Sequence, residues 1–383
     1  MYTVLEKYFK GDKVIWGVVV ALSVCSILAV YSSTGTLAFK YQEGNTLFYL
    51  FRHTFILIIG LAIIFLTHLI PFNYYSRISQ LLLFVSIPLL AWTLFKGTSL
   101  NEASRWITLP GTGLSFQTSD LAKLALIMFI ARFLAQNQEN VHDFRKGFRT
   151  IMIWIILVCG LILPANFSTA ALVFLTAMIL LFIGRIKFRY LMYVAVSGIA
   201  IATVFIVIAM NMPEESRGRV NTWKKRFDTY INGGSQEEYQ VMQAKIAIAS
   251  GGLVGKGPGN SVQRNFLPHP YSDFIFAIII EEYGLLGALI VVFSYLILLY
   301  RAGIIARRSH SGFGIFVTIG LAISLVFQAF VNMGVAVNLL PVTGQTLPLV
   351  SMGGTSIFFT GAAIGVILSV SRSVINTSSN EKI

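Results

Sequence analysis

Charge is scarce in this chain. Only 12% of its 383 residues are Asp, Glu, Lys or Arg, about half the roughly 25% usual in a soluble globular domain. That is too little to coat a water-facing surface. Cysteine is nearly absent, and Cys25 and Cys159 both lie in apolar runs. A disulfide framework and a Cys-based zinc site are thereby excluded. Acids are outnumbered, 16 against 29 basic residues, which leaves a net charge of +13. A basic surplus of this size can signal nucleic acid, but here the Lys and Arg residues sit mostly in short loops between apolar runs, so no nucleic-acid partner is expected.

What the chain has in abundance is apolar sequence. Hydrophobic residues make up 56% of it, with a mean hydropathy of +0.75. They fall in runs of about 18–24 residues, long enough at 1.5 Å per residue to cross a ~30 Å hydrocarbon core. The pattern predicts an all-α polytopic membrane protein, a single transmembrane domain over 1–383. Ten spans are expected near 14–32, 47–70, 78–95, 119–135, 150–165, 167–184, 190–211, 272–300, 313–337 and 355–374. The first run is long for a signal peptide and reads as a retained span. Sixteen basic residues fall on the side of the termini and five on the other, outside the long segment 212–271. This bias predicts a cytoplasmic N-terminus (1–13), a cytoplasmic tail (375–383), an outer loop at 96–120 and a long outer loop at 212–271 between spans 7 and 8.

Three outer segments stand out. In the first, Ser119 and Asp120 suit a helix N-terminus, while Lys123, one turn deeper, calls for a polar cavity or a carboxylate partner. In the second, Tyr239–Ala249 has helical apolar spacing and suits the membrane interface. The Gly-rich run 250–261 that follows fails as a phosphate-binding P-loop and reads as a flexible loop whose backbone can approach a ligand. The third, 338–356, holds two prolines and three glycines. Non-helical backbone there must pack in protein or line a wet cavity.

The most informative stretch is Phe266-Leu-Pro-His-Pro-Tyr-Ser-Asp273, which runs into a hydrophobic helix carrying Glu281 and Glu282. Acids in a span are costly and face the bundle interior. Asp273 suits either a helix cap or a catalytic base. The glutamates suit structural pairing with Arg or Lys.

Five ordered motifs together resemble the SEDS family of FtsW and RodA: Ala103-Ser-Arg-Trp-Ile107, Phe116-Gln-Thr-Ser-Asp-Leu-Ala-Lys123, Ala247-Ile-Ala-Ser-Gly-Gly-Leu-Val-Gly-Lys-Gly257, Phe266-Leu-Pro-x-x-x-x-Asp273-Phe-Ile-Phe-Ala277, and Leu340-Pro-Val-Thr-Gly-Gln-Thr-Leu-Pro348 with Ser351-Met-Gly-Gly-Thr-Ser356. Gly257-Pro-Gly-Asn-Ser261 and Thr346 favour the division branch over the elongation branch. The resemblance implies a peptidoglycan glycosyltransferase of the bacterial inner membrane that polymerises lipid II at the division septum. It would work with a class B penicillin-binding protein and other division-complex membrane proteins.

Residue by residue, the resemblance makes Asp273 the essential acid. It places Arg105, Asp120, Lys123, Asn166, His269, Ser351 and Thr355 at the substrate, with Glu281, Glu282, Gly353 and Gly354 shaping the cavity. Two positions depart from the family: Asp120 stands where Glu is usual, and Asn166 where Asp is common. An amide exchanges no proton, so acid/base or metal chemistry at 166 is not expected. The resemblance fixes no cofactor, and a divalent cation such as Mg2+ would suit the pyrophosphate. Two rival readings share these features: a lipid flippase or transporter, and a non-catalytic scaffold of the division machinery.

Overall fold

The computed structural model describes residues 9–96, 98–100, 103–108, 115–211 and 236–380. In chain order its first helices are α1 (Lys13–Ser33), α2 (Gly35–Tyr41), α3 (Thr46–Leu69) and α4 (Phe72–Lys96). An antiparallel sheet of β1 (Thr98–Leu100), β2 (Ala103–Thr108) and β3 (Ser115–Gln117) follows. Then come α5 (Thr118–Gln136), α6 (Arg149–Ile162), α7 (Phe167–Ile183), α8 (Phe188–Asn211), α9 (Gln236–Gly251), α10 (Ile275–Arg308), α11 (Gly312–Ala336) and α12 (Ser356–Asn380). The all-α expectation thus needs one amendment, the small sheet, which pairs Trp106 with Gln117 and Ile107 with Phe116.

Among the described residues, six helices are long and apolar enough to cross a membrane: α1, α3, α4, α10, α11 and α12. α5 carries Asp120, Lys123 and Arg132, while α6 and α7 have only 14 and 17 residues.

Local chemistry sets the helix starts. Asp12 caps α1, its Oδ1 accepting from the N–H groups of Val14 and Ile15 at 2.9 and 3.1 Å. Its Oδ2 accepts from Arg301 Nε of α10 at 2.9 Å, which ties the first and tenth helices together. The core lies where α5, α10, α11 and α12 meet, with Ile127, Ile130, Ile278, Val326, Ile367 and Leu368 all at most 1% exposed. α3 and α12 approach closely along small residues: a β-carbon on Gly361 would lie 2.8 Å from the Gly60 carbonyl oxygen. Such small-residue seams replace hydrophobic drive inside lipid.

The 212–271 segment is only partly loop. Residues 212–235 lie outside the described set, and α9 packs on α10 with Ala244 and Ala247 fully buried. The stretch expected to lie at the membrane interface is therefore docked on the bundle by a small-residue face.

Candidate functional site

Asp273 sits half-buried immediately before α10. The cap position itself falls on Phe274, whose side chain makes no capping bond. Ser272 Oγ donates to Asp273 Oδ1 at 2.9 Å. The main chain on both sides is anchored: Met352 N–H donates to the Tyr271 carbonyl at 2.9 Å, Ser351 Oγ donates to the Ser272 carbonyl at 2.6 Å, and Asn332 Nδ2 donates to the Asp273 carbonyl at 3.0 Å. All three anchors come from α11 or from the irregular segment 338–355.

That segment satisfies its own backbone through side chains, as broken backbone at membrane depth requires. Asn332 Nδ2 also donates to the Gln345 carbonyl at 2.7 Å, and Gln328 Nε2 to the Thr346 carbonyl at 2.9 Å. Ser351 Oγ accepts from Leu347 N–H, Tyr295 donates to the Pro348 carbonyl, and Ser26 to the Val350 carbonyl. Left-handed Gly354, at φ +52, turns the chain into α12, with Gly353 before it packed 3.3 Å from Ser356 by where its β-carbon would stand.

Lys123 is 9% and Asp120 5% exposed. Lys123 Nζ lies 3.7 Å from Asp120 Oδ1 and donates to Gln328 Oε1 at 2.5 Å. A small cavity beside them is lined by Ser324, Ser356 and Thr360 among others, and the buried Ser324 hydroxyl has no partner among the described residues. Asp120 is in the first turn of α5, but the cap is Gln117, whose Nε2 donates to Ser119 Oγ at 2.9 Å.

The remaining expected site residues are scattered. Arg105 falls in β2 and its side chain lies outside the described set. Thr355 is buried, its Oγ1 accepting from Gln117 N–H at 3.4 Å, and so docks β3 on the start of α12. Asn166 is a buried helix cap: its Oδ1 accepts from Thr169 N–H at 3.2 Å, and Thr169 Oγ1 accepts in turn from Gln345 Nε2 at 2.7 Å. His269 is exposed, with Nδ1 3.4 Å from the Tyr271 hydroxyl. Burial and the nearby charge of Asp273 push the Tyr271 phenol above its ordinary range.

Glu281 and Glu282, 0% and 1% exposed, are bound by the Gly-rich run. Lys256 Nζ reaches Glu281 Oε1 at 2.6 Å, and Ser261 Oγ and the N–H groups of Val262 and Gln263 donate to the same carboxylate. Ser32 Oγ and Ser261 N–H donate to Glu282 Oε1. The run packs its backbone against that of α10. Left-handed Gly255 would place a β-carbon 2.2 Å from the Glu282 carbonyl oxygen, opposite the non-helical Gly284. Glycine is needed on both sides of that contact.

Sequence reasoning missed Gln328, Asn332 and Gln345, the amides that join these parts. The available signal was two amides four residues apart on one face of an apolar helix, since polar groups at such depth are rarely idle. Among the described residues no three His, Cys, Asp or Glu side chains converge as a metal cage.

The family model described as "cell cycle protein", which covers FtsW, RodA and SpoVE, matches residues 12–376. A probable peptidoglycan glycosyltransferase FtsW of Geobacter metallireducens is 32% identical over 373 residues, 96% of this chain and 95% of that protein. Stage V sporulation protein E of Bacillus subtilis is 30% identical over 360 residues, 92% and 94% of the two chains. A solved peptidoglycan synthase complex, described as coordinating polymerization and crosslinking, superposes with a TM-score of 0.70 at 25% identity, covering 95% of this chain and 98% of that one. RodA of Thermus thermophilus gives 0.66 at 25% identity, covering 96% and 98%. With nearly its whole length matched in sequence and in fold, this chain belongs to the FtsW/RodA/SpoVE family of cell cycle proteins.

Proposed function

We propose that this chain is a septal enzyme that polymerises lipid II, a reading supported by the peptidoglycan glycosyltransferase activity named for its FtsW relatives. Its topology in this reading has ten crossings, α5 to α8 adding to the six long apolar helices, with both termini cytoplasmic and Asp273 on the outer side.

One observation carries the mechanism. Asp273 is a half-buried carboxylate whose main chain is fastened by Ser351 and Asn332 and whose Oδ1 is held by Ser272. A base needs that kind of fixed position. Asp273 takes the proton from the 4-hydroxyl of the acceptor N-acetylglucosamine. The hydroxyl oxygen forms a bond to C1 of the donor N-acetylmuramic acid as the C1–O bond to the polyprenyl pyrophosphate breaks. The α-linked donor becomes a β-1,4 link, and the pyrophosphate leaves as a stable anion without a general acid. Lys123, with Arg105 from β2, supplies positive charge for the leaving group. A divalent ion carried with the pyrophosphate would add to that charge.

A class B penicillin-binding protein is the proposed partner, in line with the synthase complex that the fold matches. A transporter reading would need mobile charges near the midplane, but Glu281 is engaged by Lys256 and the Gly-rich run. The test is a gel assay of labelled lipid II in detergent, with and without the transpeptidase, on wild type and Asp273→Asn. Glycan ladders from wild type alone are expected. Ladders from both proteins remove the base assignment, and none from wild type with partner removes the enzyme.

A further inference from the structure

Two amides on α11 carry more than the repair of broken backbone. Gln328 and Asn332 are 2% and 1% exposed and stand one turn apart. Each donates to one of two consecutive carbonyls of the irregular segment, Thr346 and Gln345 respectively. Had they only satisfied that segment, their remaining polar contacts would be indifferent. Instead Gln328 Oε1 accepts from Lys123 Nζ at 2.5 Å, and Asn332 Nδ2 also donates to the Asp273 carbonyl at 3.0 Å. One helical turn therefore spans the distance between the proposed base and the cation proposed for the leaving group, with the consecutive carbonyls of Gln345 and Thr346 as common rest.

We infer that Gln328 and Asn332 are a pair of positioning residues that hold the Asp273 main chain and the Lys123 ammonium in fixed register through the 345–346 backbone. This rests on the polymerase reading above. Neither amide touches the reacting atoms. They act by keeping base and counter-charge at one separation, and misplacement of about 1 Å costs on the order of 100-fold in rate. A helix supplies that separation more rigidly than the irregular segment, whose residues have no ladder of their own.

The test uses the full-length chain with its transpeptidase partner and lipid II as probe. Gln328→Met and Asn332→Leu remove the polar ends at nearly constant shape, and melting in detergent reports whether each variant folds. Expected is a fall in kcat of about 10- to 100-fold with KM within about threefold of wild type. The double variant should be little worse than the poorer single one, because both act on one register. Gln328→Glu, which keeps the acceptor for Lys123, should recover part of the loss. Unchanged kcat in folded variants overturns the inference, and so does a rise in KM alone, which would mark direct substrate contact. Should the apolar variants fail to fold, Gln328→Glu and Asn332→Ser decide by the same split between kcat and KM. Activity in Asp273→Asn sinks the parent reading instead, and that result is independent of the α11 variants.

Discussion

Gly365 of α12 lies so close to Thr67 of α3 that a β-carbon on the glycine would stand 1.7 Å from Thr67 Oγ1. Nothing flexible separates the two helices here, since Thr67 Oγ1 is already committed to the Ile63 carbonyl at 2.6 Å. Gly365→Ala should destabilise the bundle by about 1–3 kcal/mol, the usual cost of overpacking. Gly303 of α10 is the control, with nothing within 4 Å of its would-be β-carbon. There the same change should be neutral or gain up to about 1 kcal/mol from helix propensity. Thermal melting in detergent compares them, and equal melting temperatures would refute the close-contact account.

The Asp120–Lys123 pair should behave as a unit. Removing one partner strands a buried charge, at a cost of about 3 kcal/mol. Asp120→Asn and Lys123→Met combined should cost less than the sum of the singles by roughly 1–3 kcal/mol. A double-mutant cycle on unfolding reads this coupling, and strict additivity would mean the 3.7 Å contact is energetically idle.

Glu281→Ala should free the Gly-rich run from α10. It strands Lys256 and the N–H groups of Val262 and Gln263. Faster proteolytic cleavage between residues 251 and 261 is the expected sign, together with a loss of about 3 kcal/mol in stability. Lys256→Met should cost less, because the lysine is 32% exposed. The opposite ranking would contradict the assignment.

Tyr271 offers a pH test of the site's charge. Burial first, and then the negative charge of Asp273, raise the phenol's pKa above its unfolded value. A group so shifted contributes its full stability below about pH 10, the unfolded phenol value, and loses it as pH rises through the folded value. Ultraviolet titration should place Tyr271 lower in Asp273→Asn than in wild type. An unmoved titration would mean the two groups do not sense each other.

The long apolar runs made α1, α3, α4 and α10 to α12 legible in the sequence, because length and composition alone mark such helices. The sheet was not, since β1 and β3 have three residues each and β2 alternates without a strong apolar face. At the site, Asp273 and Lys123 could be singled out as charges in costly places, whereas the two α11 amides were hidden by the apolar residues around them. The Gly-rich run has a packing role that its sequence did not show, for a physical reason. Glycine permits close approach of backbone to anything, and what approaches here is the Glu282 carbonyl of the same chain.

The left-handed break at Gly284, with φ 64 and ψ −161, divides α10 into two rods of unequal duty. Residues 285–308 alone measure about 36 Å at 1.5 Å per residue, more than the ~30 Å thickness of hydrocarbon. The upper rod is thus surplus to the crossing, a stalk that can stand in the headgroup zone. Paired acids mounted on it would then escape the penalty that oil imposes, and on the proposed polymerase reading the carboxylate at its tip would face the watery side.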